Sequence, residues 1–210
     1  MNTVELLMID LLMQSNEKIH PVEPLRLFNF PPERYHLDDV ISIIQGPPEE
    51  QVKLQNYWAS VGLSRYHDYS NAIFNFTIDG ISKDVILFWN SKFNNSTLKE
   101  DKDIANHGGV ALSWFVMAKL LDYKYVEQSE IGDGVDYCFF KNQPDDFNFL
   151  YNEYHYVEVS GILEEKKTNT LQNRIKIKHD QINRGRMNNE NSSVIVTLFK
   201  TPKTIKEVHR

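Results

Sequence analysis

An α/β (α+β) fold, a mixed sheet flanked by helices, is predicted for this chain, and three observations predict it. Residues 123–129, 134–140 and 154–160 are short runs rich in aromatic and β-branched side chains, which favour strands. Helical periodicity appears on both sides of them, at about 106–121 and 168–184. Ser193 to Phe199 is a final run of continuous β-formers. The order α-β-β-β-α-β in the C-terminal half builds a sheet with helices packed on it.

The elements follow in chain order. Met1 to Met13 reads as an amphipathic helix through Val4, Leu7, Leu11 and Leu12. It carries Glu5 and Asp10 and lacks a basic start, so it makes a poor signal peptide. Pro21, Pro24, Pro31-Pro32 and Gly46-Pro47-Pro48 punctuate the next stretch. Between them His36 to Gln45 reads as a short helix with Leu37, Val40, Ile41 and Ile44 on one face, and 49–60 as another. Ala72–Ile78 and Val85–Trp89 form a hairpin around Asp79-Gly80. The polar stretch 91–99 is the expected boundary between an N-terminal region, 1–100, for partner binding or substrate positioning, and a core, 101–210. Asn106 is the expected cap of the helix that reaches Leu121. Gly185 and the Asn-rich 188–191 close the helix at 168–184.

Composition narrows the function. Hydrophobic residues are 41% and charged residues 25%, values of a soluble globular chain. No run reaches the ~20 apolar residues of a membrane span. Cys138 is the lone cysteine, which excludes a disulfide framework and fits a reducing, cytoplasmic location. The net charge of −6 is unevenly spread: residues 162–210 hold eleven Lys/Arg against five Asp/Glu. Such asymmetry marks a nucleic-acid face, a partner interface or a solvated basic helix. Among the seven histidines there is no H-x-x-x-H pair and no Cys/His zinc spacing.

Two acidic residues carry the chemistry. Asp136 lies in Val135-Asp-Tyr-Cys-Phe-Phe140 and Glu158 in Tyr154-His-Tyr-Val-Glu-Val-Ser160. A carboxylate inside an apolar strand is costly unless paired. Alternation puts Asp136, Cys138 and Phe140 on one face, and Tyr154, Tyr156, Glu158 and Ser160 on one face of the next strand. If these strands pair, the carboxylates meet and can hold a hard cation, Mg²⁺ or Mn²⁺. Asp133, in the turn just before, is a further acidic neighbour. On the following helix Leu171, Ile175 and Ile182 form an apolar stripe with Lys178 near its centre, flanked by Arg174 and Gln181. A lysine there must snorkel or find an anion. Structural roles compete: Asp136 bonding strand amides, Glu158 in a buried ion pair with Arg174 or Lys178, Cys138 as core, His107-Gly108-Gly109 as close packing, and Tyr151, Tyr154 and Tyr156 as core and rim rather than base-stacking platforms.

The element order, an Asp on the second strand and an acidic residue on the third resemble the PD-(D/E)XK nuclease superfamily over about residues 103–200. The resemblance implies Asp136 and Glu158 as metal ligands. Glu158-Val159-Ser160 has Ser where the superfamily pattern has its catalytic Lys, and some members supply that lysine from the next helix, where Lys178 stands. It further implies Mg²⁺-dependent hydrolysis of phosphodiesters, of DNA before RNA, in a phage-defence or restriction setting. Asp136, Glu158 and Lys178 would be catalytic, and Arg174, Gln181, Arg184 and Arg186 would bind substrate. The alternative is an inactive nuclease-fold subunit that binds a protein partner, or copies of itself, and nucleic acid in a larger complex.

Overall fold

The computed structural model describes residues 31–90, 100–145, 152–187 and 191–210. The helix expected at Met1–Met13 and the boundary expected at 91–99 lie outside the described residues. From Pro32 onward the chain forms one compact unit.

Eight strands build one mixed sheet: β1 (Glu33–His36), β2 (Asn71–Ile78), β3 (Ile81–Phe88), β4 (Tyr125–Gln128), β5 (Tyr137–Phe140), β6 (Tyr154–Ile162), β7 (Ser192–Leu198) and β8 (Lys203–Val208). Their order across the sheet is β1-β3-β2-β8-β7-β6-β5-β4. Pairing is parallel at β1–β3, β2–β8 and β6–β7, and antiparallel elsewhere. The helices are α1 (Glu49–Ser64), α2 (Asp101–Phe115, extended by a π-helical turn, Val116–Leu120) and α3 (Leu171–Arg184). The fold is therefore α+β, with a mixed sheet between helices.

The hairpin forms because Asp79 and Gly80 both hold positive φ, 50° and 89°. That turn matches the right-handed twist of the flanking strands. The short helix expected at His36 to Gln45 is a 3-10 helix, Leu37–Ser42, capped by His36. The two expected halves share the sheet, because β2 pairs with β8. A flat sheet of eight strands would hold its edges roughly 34 Å apart. Yet β1 ends at His36, and Gln45 bridges to Tyr125 of the opposite edge strand. A 3-10 turn and a few extended residues span only about 22 Å. The sheet must curl.

One side of the sheet holds α1 and α2. Trp114, Phe115, Phe74, Phe76, Leu87, Val157 and Val159 pack there, fully or almost fully buried. The opposite face takes α3, whose Leu171, Ile175 and Ile182 pack on Val194, Val196 and Ile162. Gly161 lets α2 lie directly on β6, since a Cβ there would stand 1.8 Å from the Ala105 carbonyl oxygen. Gly108 and Gly109 are likewise close-packed, against Phe199 and the Ser160–Gly161 backbone.

One expectation needs correction. Asn106 caps nothing; it lies inside α2, which starts at Asp101 with Asp101 and Asp103 in its first turn, where carboxylates favour the helix dipole. His107 is also mid-helix, beside Gln55 Oε1 (3.2 Å) and stacked on Trp58. β1 and β8 were not anticipated.

Candidate active site

The site begins at the residue just before β5. Tyr137 pairs with Val157 across antiparallel β5 and β6, so Asp136 falls opposite Glu158. The Asp136 amide donates to the Val157 carbonyl at 2.9 Å. Its carboxylate Oδ2 accepts from the Val159 amide at 2.8 Å, standing in for the next backbone carbonyl of the ladder. The amide-bonding role is thus present alongside any chemical one. Alternation then sends Glu158 to the α3 side, with Tyr156 and Ile162.

Glu158 is fully buried. Its Oε1 accepts from Lys178 Nζ, and Lys178 also donates to Gln181 Oε1 at 3.2 Å. Oε2 is enclosed and has no hydrogen-bond partner. Burial, and secondly the charge of Asp136, push the Glu158 carboxyl up to about 8, against the opposing pull of Lys178. Two carboxyl groups facing one another with no donor between them call for a shared proton or a cation.

Asp136 opens onto a cavity of about 420 Å³ with Gln181, Arg184 and Gly185 on one wall and Gln128–Gly132 on the other. Gly134 (φ 79°) brings that loop onto the end of α3, because a Cβ there would stand 2.7 Å from the Gly185 Cα. Asp133 fastens the same loop: its Oδ2 accepts from the Glu130 amide at 3.0 Å, and its Oδ1 lies 2.8 Å from Arg186.

Asp136, Glu158, Lys178, Gln181 and Arg184 are therefore brought together. Arg174 and Arg186 are not. Arg174 donates to Asn169 Oδ1 at 2.7 Å and lines a separate cavity with Lys102 and Lys166. Arg186 is held in ion pairs with Asp133 and Glu130. Cys138 is buried, and burial lifts its thiol to about 12, which makes it inert. Sequence reasoning passed over Gln128 and Ser129, which wall the cavity; the flanking Gly132-Asp-Gly134 turn was the available signal.

Comparison with protein-family models, with curated proteins and with solved structures gave no match. The residues must speak for themselves.

Their fit to a metal can be tested on the donor set. The enclosed Oε2 of Glu158 and the facing Asp136 carboxylate offer hard oxygen donors without a competing hydrogen-bond donor on that oxygen. The described residues hold no group of three or more His, Cys, Asp or Glu that would cage an ion. Mg²⁺ keeps several waters and takes one or two carboxylates plus substrate phosphate; here Asp136 lines the cavity, and Glu158 and Lys178 lie behind its wall.

Proposed function

We propose that this protein is a Mg²⁺-dependent (or Mn²⁺-dependent) nuclease with a PD-(D/E)XK-like core that hydrolyses phosphodiester bonds of nucleic acid, DNA before RNA. The observation that carries the reading is the opposition of Asp136 and Glu158 across β5–β6, with Lys178 of α3 on Glu158. Asp136 and Glu158 would hold the ion, which when bound supplies Lewis-acid stabilisation of phosphoryl oxygen and a lowered water pKa. Lys178 holds Glu158 and faces Gln181, so its ammonium is fixed where it can orient water or stabilise developing phosphoryl charge. Gln181 and Arg184 line the Asp136 cavity and would position a phosphate. Ser160, at the place of the motif lysine, is buried and leaves that task to Lys178. A cytoplasmic setting in phage defence or restriction, with a protein partner or a homo-oligomer, completes the proposal. Among the described residues no helix is long and apolar enough to cross a membrane.

A second reading has its own observation. Glu158 is wholly enclosed and already bonded to Lys178, which is also how a purely structural buried ion pair looks. The protein would then be an inactive nuclease-fold subunit that binds a protein partner and nucleic acid. Cleavage of single- and double-stranded DNA and of RNA, in Mg²⁺, Mn²⁺ and EDTA, separates the two. Metal-dependent cleavage lost in folded Lys178→Met and Asp136→Asn supports the enzyme. No cleavage by wild type, with a stoichiometric protein partner, supports the scaffold.

A further inference from the structure

Arg174 lies outside the Asp136 site and lines a separate cavity of about 380 Å³. Three elements send cations to that cavity: Lys102 from the first turn of α2, Lys166 from the β6–α3 connection, and Arg174 from α3. Among the described residues neither lysine pairs with a carboxylate. Arg174 is half-buried and is held by a neutral partner, Asn169 Oδ1, at 2.7 Å. The lining also has two acids, Asp101 and Glu164. Each is already neutralised by a cation from outside the lining, Asp101 by Arg65 and Glu164 by Lys200. The uncompensated charge of the cavity is therefore positive. Tyr66 and Asn106 add a hydroxyl and an amide to the lining.

A guanidinium with two ammonium groups around a concave space suits the oxygens of a phosphate. The place of the cavity in the fold selects which phosphate. Arg174 and Gln181 both stand on α3, about two turns or ~10.5 Å apart along its axis. Gln181 lines the Asp136 cavity. Between the two cavities runs β6, which β5 pairs only as far as Val157, with the Asp136 carboxylate reaching on to the Val159 amide. Among the described residues, Ser160–Ile162 of β6 has no strand beside it on that side. A nucleic-acid strand advances about 10 Å along its axis in roughly three nucleotides. The two cavities thus match the spacing of phosphates on one strand.

We propose that the cavity of Lys102, Lys166 and Arg174 binds a backbone phosphate of the nucleic-acid substrate, about three nucleotides from the phosphate held at Asp136. The inference rests on the nuclease reading and deepens it by giving the substrate a second point of attachment. Arg174 takes the phosphate oxygens and the two lysines supply the countercharge. No base edge is read there, so the contact positions the strand without regard to sequence.

The test is binding of the full chain to labelled oligo(dT), oligo(dA) and a duplex, each of about twelve residues, by fluorescence anisotropy in EDTA at about 50 and 200 mM salt. The double variant Lys102→Met, Lys166→Met changes two exposed side chains and should melt like wild type. It should lose about tenfold in affinity, equally for oligo(dT) and oligo(dA), and its salt slope should fall by about one. Arg174→Gln should do the same. Lys167→Met, an exposed lysine outside the lining, should change affinity less than twofold, on the order of a solvated surface charge. No binding by wild type, affinity unchanged in the double variant, or an equal loss in Lys167→Met overturns the proposal. Calorimetric titration with inorganic phosphate covers the other source of the same chemistry: heat abolished in the double variant, with oligonucleotide affinity unchanged, makes this a small-phosphate site and overturns the substrate contact. Binding in EDTA keeps the two readings apart. Lysine-dependent binding without cleavage in Mg²⁺ removes the nuclease and leaves the phosphate site; cleavage by wild type with unchanged binding in the double variant removes the phosphate site alone.

Discussion

The facing carboxylates make a prediction about stability that needs neither substrate nor metal. Glu158 is fully buried and its carboxyl is raised to about 8. The folded state therefore binds a proton that the unfolded chain releases near its ordinary value of 4.5. This contribution is complete below 4.5 and is lost as pH rises through about 8, at no more than ~1.4 kcal/mol per pH unit. Two histidines work the other way. Burial pushes His155 down to about 4 and lowers His209, so their contributions are present above about 6.5 and are lost as pH falls. The opposing terms overlap below 6.5, and Glu158 stands alone above it. In EDTA, wild-type unfolding free energy should fall by up to about 2 kcal/mol between pH 6.5 and 8. Asp136→Asn can still accept the Val159 amide but removes the second cause of the Glu158 shift, so the fall should shrink. Urea denaturation at several pH values measures both slopes. Saturating Mg²⁺ at pH 8 should then stabilise wild type, by about 1.4 kcal/mol at ten times Kd, and not the variant. A wild-type free energy that is flat or rising from pH 6.5 to 8, or an unchanged slope in Asp136→Asn, would refute the carboxylate-pair argument.

Further outcomes follow from the same packing. Lys178→Met removes the group that pulls the Glu158 carboxyl down, so Glu158 keeps its proton to higher pH; the fall in wild-type stability towards pH 8 should move above pH 8 in the variant, which paired denaturation curves test. Gly161→Ala sets a methyl 1.8 Å from the Ala105 carbonyl oxygen and should cost roughly 3 kcal/mol or more, seen as a collapse of the thermal midpoint. Thr170→Ala removes the oxygen that accepts the Asn173 amide at 3.2 Å and should cost about 1 kcal/mol, with Thr170→Ser close to wild type in the same melt.

Local pattern carried much of the core. The runs around β5, β6 and β7 are dense in β-formers, and the stripe Leu171, Ile175, Ile182 is the buried face of α3. Alternation alone put Asp136 and Glu158 on a definite face of each strand. β8 escaped notice because Lys203, Lys206 and Glu207 interrupt it; its buried Lys206 is tolerated through the ion pair with Asp79 on the β2–β3 turn, a partner remote in sequence. β1 is four residues, mostly polar, and becomes a strand by adding to β3.

Composition and periodicity are properties of neighbours along the chain, so they named the elements and the acidic residues from residues close at hand. Register and packing join residues far apart. Whether Asp136 faces Glu158 depends on the Tyr137–Val157 pairing across the β5–β6 connection. Whether Lys178 reaches Glu158, while Arg174 turns to a different cavity, depends on how α3 crosses from β6 to β7. A slip of one residue in that register would send Asp136 to the other face of the sheet. Burial then raised the Glu158 carboxyl, because the environment that desolvates it is assembled from β5, β6 and α3 together.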